Sequence, residues 1–143
     1  MPRHVLNLYP ARTVHPFHAL LLGGAFALFL AAMLADWAYA VTYEIQWKNF
    51  AAWLLVGALV FNGVAILFAL FDTARGLGRG IVFTLLMLAC FALGVIDAFV
   101  HAKDAWAAMP MALVLSIVTL VLSAATAWFG LATIRPALKG DAL

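Results

Sequence analysis

The stretch Phe50–Phe71, FAAWLLVGALVFNGVAILFALF, contains 22 residues and no charge. As a helix rising ~1.5 Å per residue it spans roughly 33 Å, against a bilayer hydrocarbon core of about 30 Å. Three further apolar stretches flank it, giving spans near 17–41, 51–72, 80–101 and 110–134 separated by short polar links. The fold expected is all-α: an integral membrane four-helix bundle, up-down-up-down, forming a single transmembrane domain over 1–143.

Composition agrees. The 143 residues are 68% hydrophobic and 10% charged, with mean hydropathy +1.11. A soluble domain carries about 25% charged residues, so lipid is the solvent for most of this chain. The links leave no room for a soluble domain. A surplus of two positive charges is too small to argue for nucleic acid. The lone Cys90 has no intrachain partner for a disulfide. Arg3, Arg12 and Ala38-Tyr39-Ala40 mimic a signal peptide, but the uncharged run Ala19–Ala35 is 17 residues, beyond the usual ~7–15. The first span is therefore read as retained.

Local chemistry marks the boundaries. Pro16 and Pro110 suit the first turns of the first and fourth helices, Pro136 stops the fourth, and Gly76, Gly78 and Gly80 loosen the second link. Arg3, Arg12, Arg75, Arg79, Arg135 and Lys139 fall on one side, Lys48 and Lys103 on the other. Six against two places both termini in the cytoplasm. The outer side is then acidic and aromatic, with Asp36, Glu44 and Asp104 beside Trp37, Tyr39, Tyr43, Trp47 and Trp106. Interfacial anchoring is the reading for these aromatics.

Small residues recur at helix-face spacing: Gly23, Ala27, Ala31 and Ala35 in the first span, and Cys90, Gly94, Ala98 and Ala102 in the third. In the fourth they are Ser116, Thr119, Ser123, Thr126, Gly130 and Thr133. Lipid supplies no hydrophobic force between helices, so close approach at small residues builds the seams. Packing within a bundle, and a homodimer face, are expected from these stripes. A polar pore lining is the rival reading of the fourth.

Few ionisable groups lie at membrane depth, where each invites a functional hypothesis. Asp97 and His101 are four residues apart on one face, so they can pair. A proton relay, a metal site or a quinone pocket competes with a local helix-end hydrogen bond that leaves His101 at the water interface; the latter is the expectation. His15 and His18 are metal-ligand candidates, needing a third ligand from Asp72 or His4. Haem b between helices would draw on His18 or His101 as axial ligand. These lie a membrane apart in one chain, so a bis-histidine site would require a dimer. Asn62, the polar residue in the middle of the second span, suits interhelical hydrogen bonding. No nucleophile–base pair, P-loop, CxxC or catalytic carboxylate pair is present.

His15-Pro16, Ala35-Asp36-Trp37-Ala38-Tyr39, Trp47-Lys48-Asn49-Phe50-Ala51-Ala52-Trp53-Leu54-Leu55 and Leu70-Phe71-Asp72 together resemble a bacterial family of short four-helix predicted membrane proteins labelled a domain of unknown function. The likeness lies in the first half. In the second, Arg79-Gly80-Ile81-Val82 stands where family members tend to carry His and Asn, and Trp128-Phe129-Gly130-Leu131 keeps only the beginning of the closing motif. The resemblance implies a bacterial inner-membrane protein. Fusions of some relatives to Rieske-type domains, and the likeness of others to partners of quinoprotein dehydrogenases, imply redox association.

The combined expectation is an accessory or scaffolding protein without catalysis of its own, forming a homo-oligomer or part of a larger membrane redox complex. A haem b or quinone module is the alternative, and an oligomeric transporter or proton pathway using Asp97 and His101 is the second alternative.

Overall fold

The structure, a computed structural model, describes residues 15–75 and 81–132. The sequence features placed at Arg3, His4, Arg12, Gly76, Gly78, Arg79, Gly80, Thr133, Arg135, Pro136 and Lys139 lie outside the described residues. Five helices follow in order: α1 (Pro16–Thr42), α2 (Ile45–Ala74), α3 (Ile81–His101), the single turn α4 (Ala105–Ala108) and α5 (Met111–Ala132). The four long ones, of 27, 30, 21 and 22 residues, are each apolar and long enough to cross a membrane. No strand occurs among the described residues.

Local chemistry sets the helix ends. Pro16 occupies the first turn of α1, and His15 Nδ1 accepts a hydrogen bond from the Phe17 N–H at 3.3 Å. At the other end Tyr43 adopts the left-handed conformation (φ 58°) and its N–H returns to Tyr39 O at 2.8 Å, which stops α1. Only Tyr43 and Glu44 separate α1 from α2. The second helix thus starts six residues earlier than its apolar run suggests, because Ile45–Phe50 contains neither Gly nor Pro to break it. In the third link, Ala107 and Ala108 N–H both bond Asp104 O, forming α4. Pro110 sits just before α5 rather than inside it, and its carbonyl accepts from Val114 N–H.

Contacts between helices give the topology. Gly24 lies against Phe61 and Gly57 against Leu28, so numbers fall on α2 as they rise on α1. Gly63 meets Phe91 and Gly94 meets Leu59, which sets α3 antiparallel to α2. Gly130 lies against Leu22 and Phe83 at one end, while Ser116 meets Asp36 and Asp97 towards the other. The long helices close a ring in which α1 packs on α2 and α5, and α3 packs on α2 and α5. α1 and α3 sit on a diagonal and run the same way.

One period governs all four inner faces. Buried positions run His18, Leu22, Ala25, Phe29, Ala32, Asp36, Tyr39 on α1 and Ala51, Leu55, Ala58, Asn62, Ala65, Ala69 on α2. On α3 they are Phe83, Met87, Cys90, Gly94, Asp97, His101, and on α5 Ala112, Ser116, Thr119, Ser123, Thr126, Gly130. Steps alternate between four and three residues throughout, the 3.5-residue repeat of left-handed bundles. Alanine, glycine and serine fill much of this seam, and fully buried Phe29, Leu55 and Met87 fill the middle of the bundle.

The expected seam of α1 therefore divides. Gly23 and Ala27 face outward, Ala31 is half-buried, and only Ala35 is buried. A Cβ added at Gly23 meets nothing within 4 Å, whereas one at Gly94 would sit 2.8 Å from Leu59 and 3.4 Å from Phe29. Gly94→Leu is accordingly expected to cost about 1–3 kcal/mol through overpacking. Gly23→Leu should leave stability unchanged. Reversible unfolding of both variants in one detergent mixture checks the contrast.

Candidate functional site

The polar core lies towards the end of the bundle that carries α4. Asp36 is six residues from the end of α1, Asp97 four from the end of α3, and Ser116 five from the start of α5. At ~1.5 Å per residue they sit about 6–9 Å inside the helix ends. Each occupies the inward phase of its own helix, and that shared phase brings three helices' polar groups together.

The imidazole of His101 is held on both sides. Its Nε2 lies 2.8 Å from Asp36 Oδ1 across the bundle diagonal. Its Nδ1 lies 3.0 Å from the Asp97 carbonyl oxygen one turn back, and 3.1 Å from Asp97 Oδ1. Ser116 Oγ on α5 hydrogen-bonds Asp36 Oδ2 and is 3.2 Å from Asp97 Oδ2. Both aspartates have 0% exposure and His101 has 5%. Burial here is decisive: an ionised Asp alone at the centre of a membrane helix costs about 2.5–3.5 kcal/mol on insertion scales. A histidine and a hydroxyl offset that cost only if they converge, and here they do.

Two expectations change. Asp36, read as part of an outer acidic surface, is fully buried because it continues the inward series Ala25, Phe29, Ala32. His101, expected at the water interface as a local helix-end partner of Asp97, is enclosed and bonded across the bundle. Tyr39 likewise leaves the interfacial belt and turns inward (4% exposed), edge-on to Tyr43, which stacks on Trp106 at 5.7 Å. Trp37, Trp47 and Trp106 remain exposed. Lys48, half-buried, reaches over to donate to the Lys103 carbonyl at 2.7 Å and ties the start of α2 to the α3–α4 link.

The remaining candidate positions separate by location. His15 is exposed and caps α1, while His18 is buried with Phe68 and Phe83 rings 6.4 and 6.2 Å away. His18 lies at the end of the bundle opposite His101. Among the described residues no group of three or more His, Cys, Asp or Glu is arranged to hold a metal ion. The two carboxylates flank the His101 ring instead of sharing a face with it, so both ring nitrogens are already engaged. Asn62 is buried on α2 with its Nδ2 unpartnered. On α5, Thr119 and Thr126 bond back to Leu115 O and Leu122 O, and Cys90 Sγ contacts Thr119 O at 3.6 Å. Ser123 and Gly130 are buried, Ala98 is half-buried, and Ala102 is exposed.

Asp36 and Ser116 are the partners that sequence reasoning missed. The signal was available: both obey the alternating four-and-three spacing that marks the buried face of their helices.

Fold and site together define a four-helix membrane protein with an enclosed His–carboxylate–hydroxyl cluster near one end. The chain belongs to the family described as "Predicted membrane protein (DUF2231)", whose model matches residues 14–134. The likeness seen in the first half thus extends over all four long helices. No curated protein and no solved structure matches the chain.

Breaking one side of a buried ionic pair costs about 3–5 kcal/mol, because the other charge is left enclosed. His101→Ala should lose stability on that scale, and His101→Ala combined with Asp36→Ala should lose less than the sum of the two single changes. A double-mutant cycle measured by unfolding in detergent checks it; simple additivity would mean the two residues do not interact.

Proposed function

We propose that this chain is a small accessory protein of the bacterial inner membrane, a bundle that docks a further transmembrane helix and performs no chemistry of its own. The observation that carries this reading is the outward small-residue face of α1. Gly23 and Ala27 point away from the bundle, on the same helix that supplies Phe26 to an apolar groove of about 570 Å³ between α1 and α5. Phe26, Ala124, Ala127, Trp128 and Leu131 line that groove. Small residues allow close backbone approach in lipid, and this face lies outside the bundle's own packing. A second copy of the chain is the first partner to consider, and a subunit of a membrane redox complex the next.

The uneven placement of Lys and Arg supports cytoplasmic termini, with the Asp36–His101 cluster towards the outer surface. The redox alternative would use His18 or His101 as haem ligand. His101 has both ring nitrogens engaged and His18 is enclosed beside two phenylalanines, so the geometry favours association over haem binding. A transport path through one chain would have to pass the buried Phe29, Leu55 and Met87, which favours the same choice.

Gly23→Leu with Ala27→Leu fills the outward face without touching the interior. Self-association in lipid-matched detergent, or recovery of a co-purifying membrane subunit, should fall by about tenfold or more (~1.4 kcal/mol), with helicity intact. Association that is unchanged in the doubly substituted protein would rule this face out.

A further inference from the structure

The hydrogen-bond geometry of the buried cluster contains more acceptor atoms than its formal donors satisfy, and this determines where protons must sit. The Asp97 carbonyl oxygen, 3.0 Å from His101 Nδ1, can only accept, so Nδ1 carries a hydrogen. One further proton lies between His101 Nε2 and Asp36 Oδ1, 2.8 Å apart. Held on nitrogen it makes an imidazolium–carboxylate pair; moved to oxygen it leaves the count unchanged.

Ser116 is the informative residue. Its hydroxyl carries one hydrogen, yet Oγ approaches a carboxyl oxygen of each aspartate. Asp36 already receives the His101 Nε2 hydrogen on Oδ1, which marks it as the ionised carboxylate and the acceptor of the serine hydrogen. Across the 3.2 Å contact, Ser116 Oγ and Asp97 Oδ2 would then face each other with lone pairs alone. A hydrogen on Asp97 Oδ2, donated to Ser116 Oγ, turns this repulsive contact into a bond. Asp97 Oδ1 is fully buried and 3.1 Å from His101 Nδ1, whose hydrogen is directed to the Asp97 carbonyl oxygen, so Oδ1 receives no hydrogen bond of its own. Two carboxylates on one imidazolium would leave the enclosed cluster with an uncompensated charge, which burial makes costly.

We propose that Asp97 is a proton-binding site, carrying its proton at neutral pH in a directed chain. Asp97 Oδ2–H donates to Ser116 Oγ, Ser116 Oγ–H donates to Asp36 Oδ2, and His101 Nε2–H donates to Asp36 Oδ1. The balance of charge follows. Imidazolium and the Asp36 carboxylate cancel, Asp97 is neutral, and the enclosed cluster carries no net charge. Removing the Asp97 proton to water leaves the cluster with one net negative charge in a low-dielectric interior. The ligand is therefore a proton exchanged with water at the α4 end, where exposed Ala102, Lys103 and Asp104 directly follow His101.

The surrounding elements add no competing charge. α1 contributes Asp36 and Tyr39, α3 contributes Asp97 and His101, and the buried residues of α5 are not titratable acids or bases. The buried residues of α2 are apolar apart from Asn62. Lys48 is engaged with the Lys103 carbonyl. This proposal does not depend on the association proposed above.

Infrared difference spectroscopy on the full chain in lipid nanodiscs tests it. At neutral pH the wild type should show the carbonyl stretch of a protonated carboxylic acid, moving on exchange into D2O. The band should vanish in Asp97→Asn, whose amide preserves a donor towards Ser116, and persist in Glu44→Gln, an exposed control. No such band in the wild type, or a band retained in Asp97→Asn, overturns the proposal. Should Asp97→Asn fail to fold, carboxyl-labelled aspartate in the wild type keeps the question answerable. Of the chain's five aspartate 13Cγ resonances, the one assigned to Asp97 through its neighbours Ile96 and Ala98 should then report a neutral acid at pH 7, and five ionised aspartates, or a neutral acid at Asp36 instead, would overturn it.

Discussion

The contact from His101 on α3 to Asp36 on α1 is the interaction on which the rest of this structure depends, because it crosses the diagonal of the bundle. Neighbouring helices can be held by close packing of small residues. Diagonal helices are farther apart and need something longer to fix their depth relative to each other. An imidazole meeting a carboxylate at 2.8 Å sets that depth, and Ser116 brings α5 to the same level. α2 contributes alanines and leucine there, leaving room for the polar groups of its neighbours.

Lipid as solvent reverses the usual meaning of burial. Trp53 and Trp128 are largely exposed, and so are many leucines and valines, while the interior collects Ala, Gly, Ser, Thr and the ionisable residues. With apolar tails outside and apolar side chains inside, the discriminating forces are shape and hydrogen bonding. The seam's alternating period matters for that reason. It holds the small residues in register so that backbones approach, and it delivers Asp36, Asp97, His101 and Ser116 to a common centre.

Much of this was legible in the sequence and some was not, for identifiable reasons. The uncharged run Phe50–Phe71 announced a membrane helix because length and hydropathy alone decide that question. The pairing of Asp97 with His101 was legible because i,i+4 neighbours need no tertiary information. Asp36 was misplaced because nearness to the polar link and to Trp37 suggested a surface, and rotation about the helix axis decided otherwise. The small-residue ladder from Gly23 divides between the two uses expected of it. It is regular, but its phase differs from the seam that begins at His18, so Gly23 and Ala27 face outward while Ala35 turns in. The start of α2 was missed because helix formation needs only the absence of breakers, whereas hydropathy records only where the lipid begins.

The positions of the cluster's members along the chain bear on how it is made. Synthesis runs from the N-terminus, so Asp36 enters the membrane 65 residues before His101 and 80 before Ser116. During that interval α1 carries an acidic side chain without its eventual partners. A site at mid-depth would strand it in hydrocarbon. Six residues from the end of α1, it stays within reach of headgroup water until the later helices arrive. The depth of the cluster is therefore suited to assembly as well as to the finished fold.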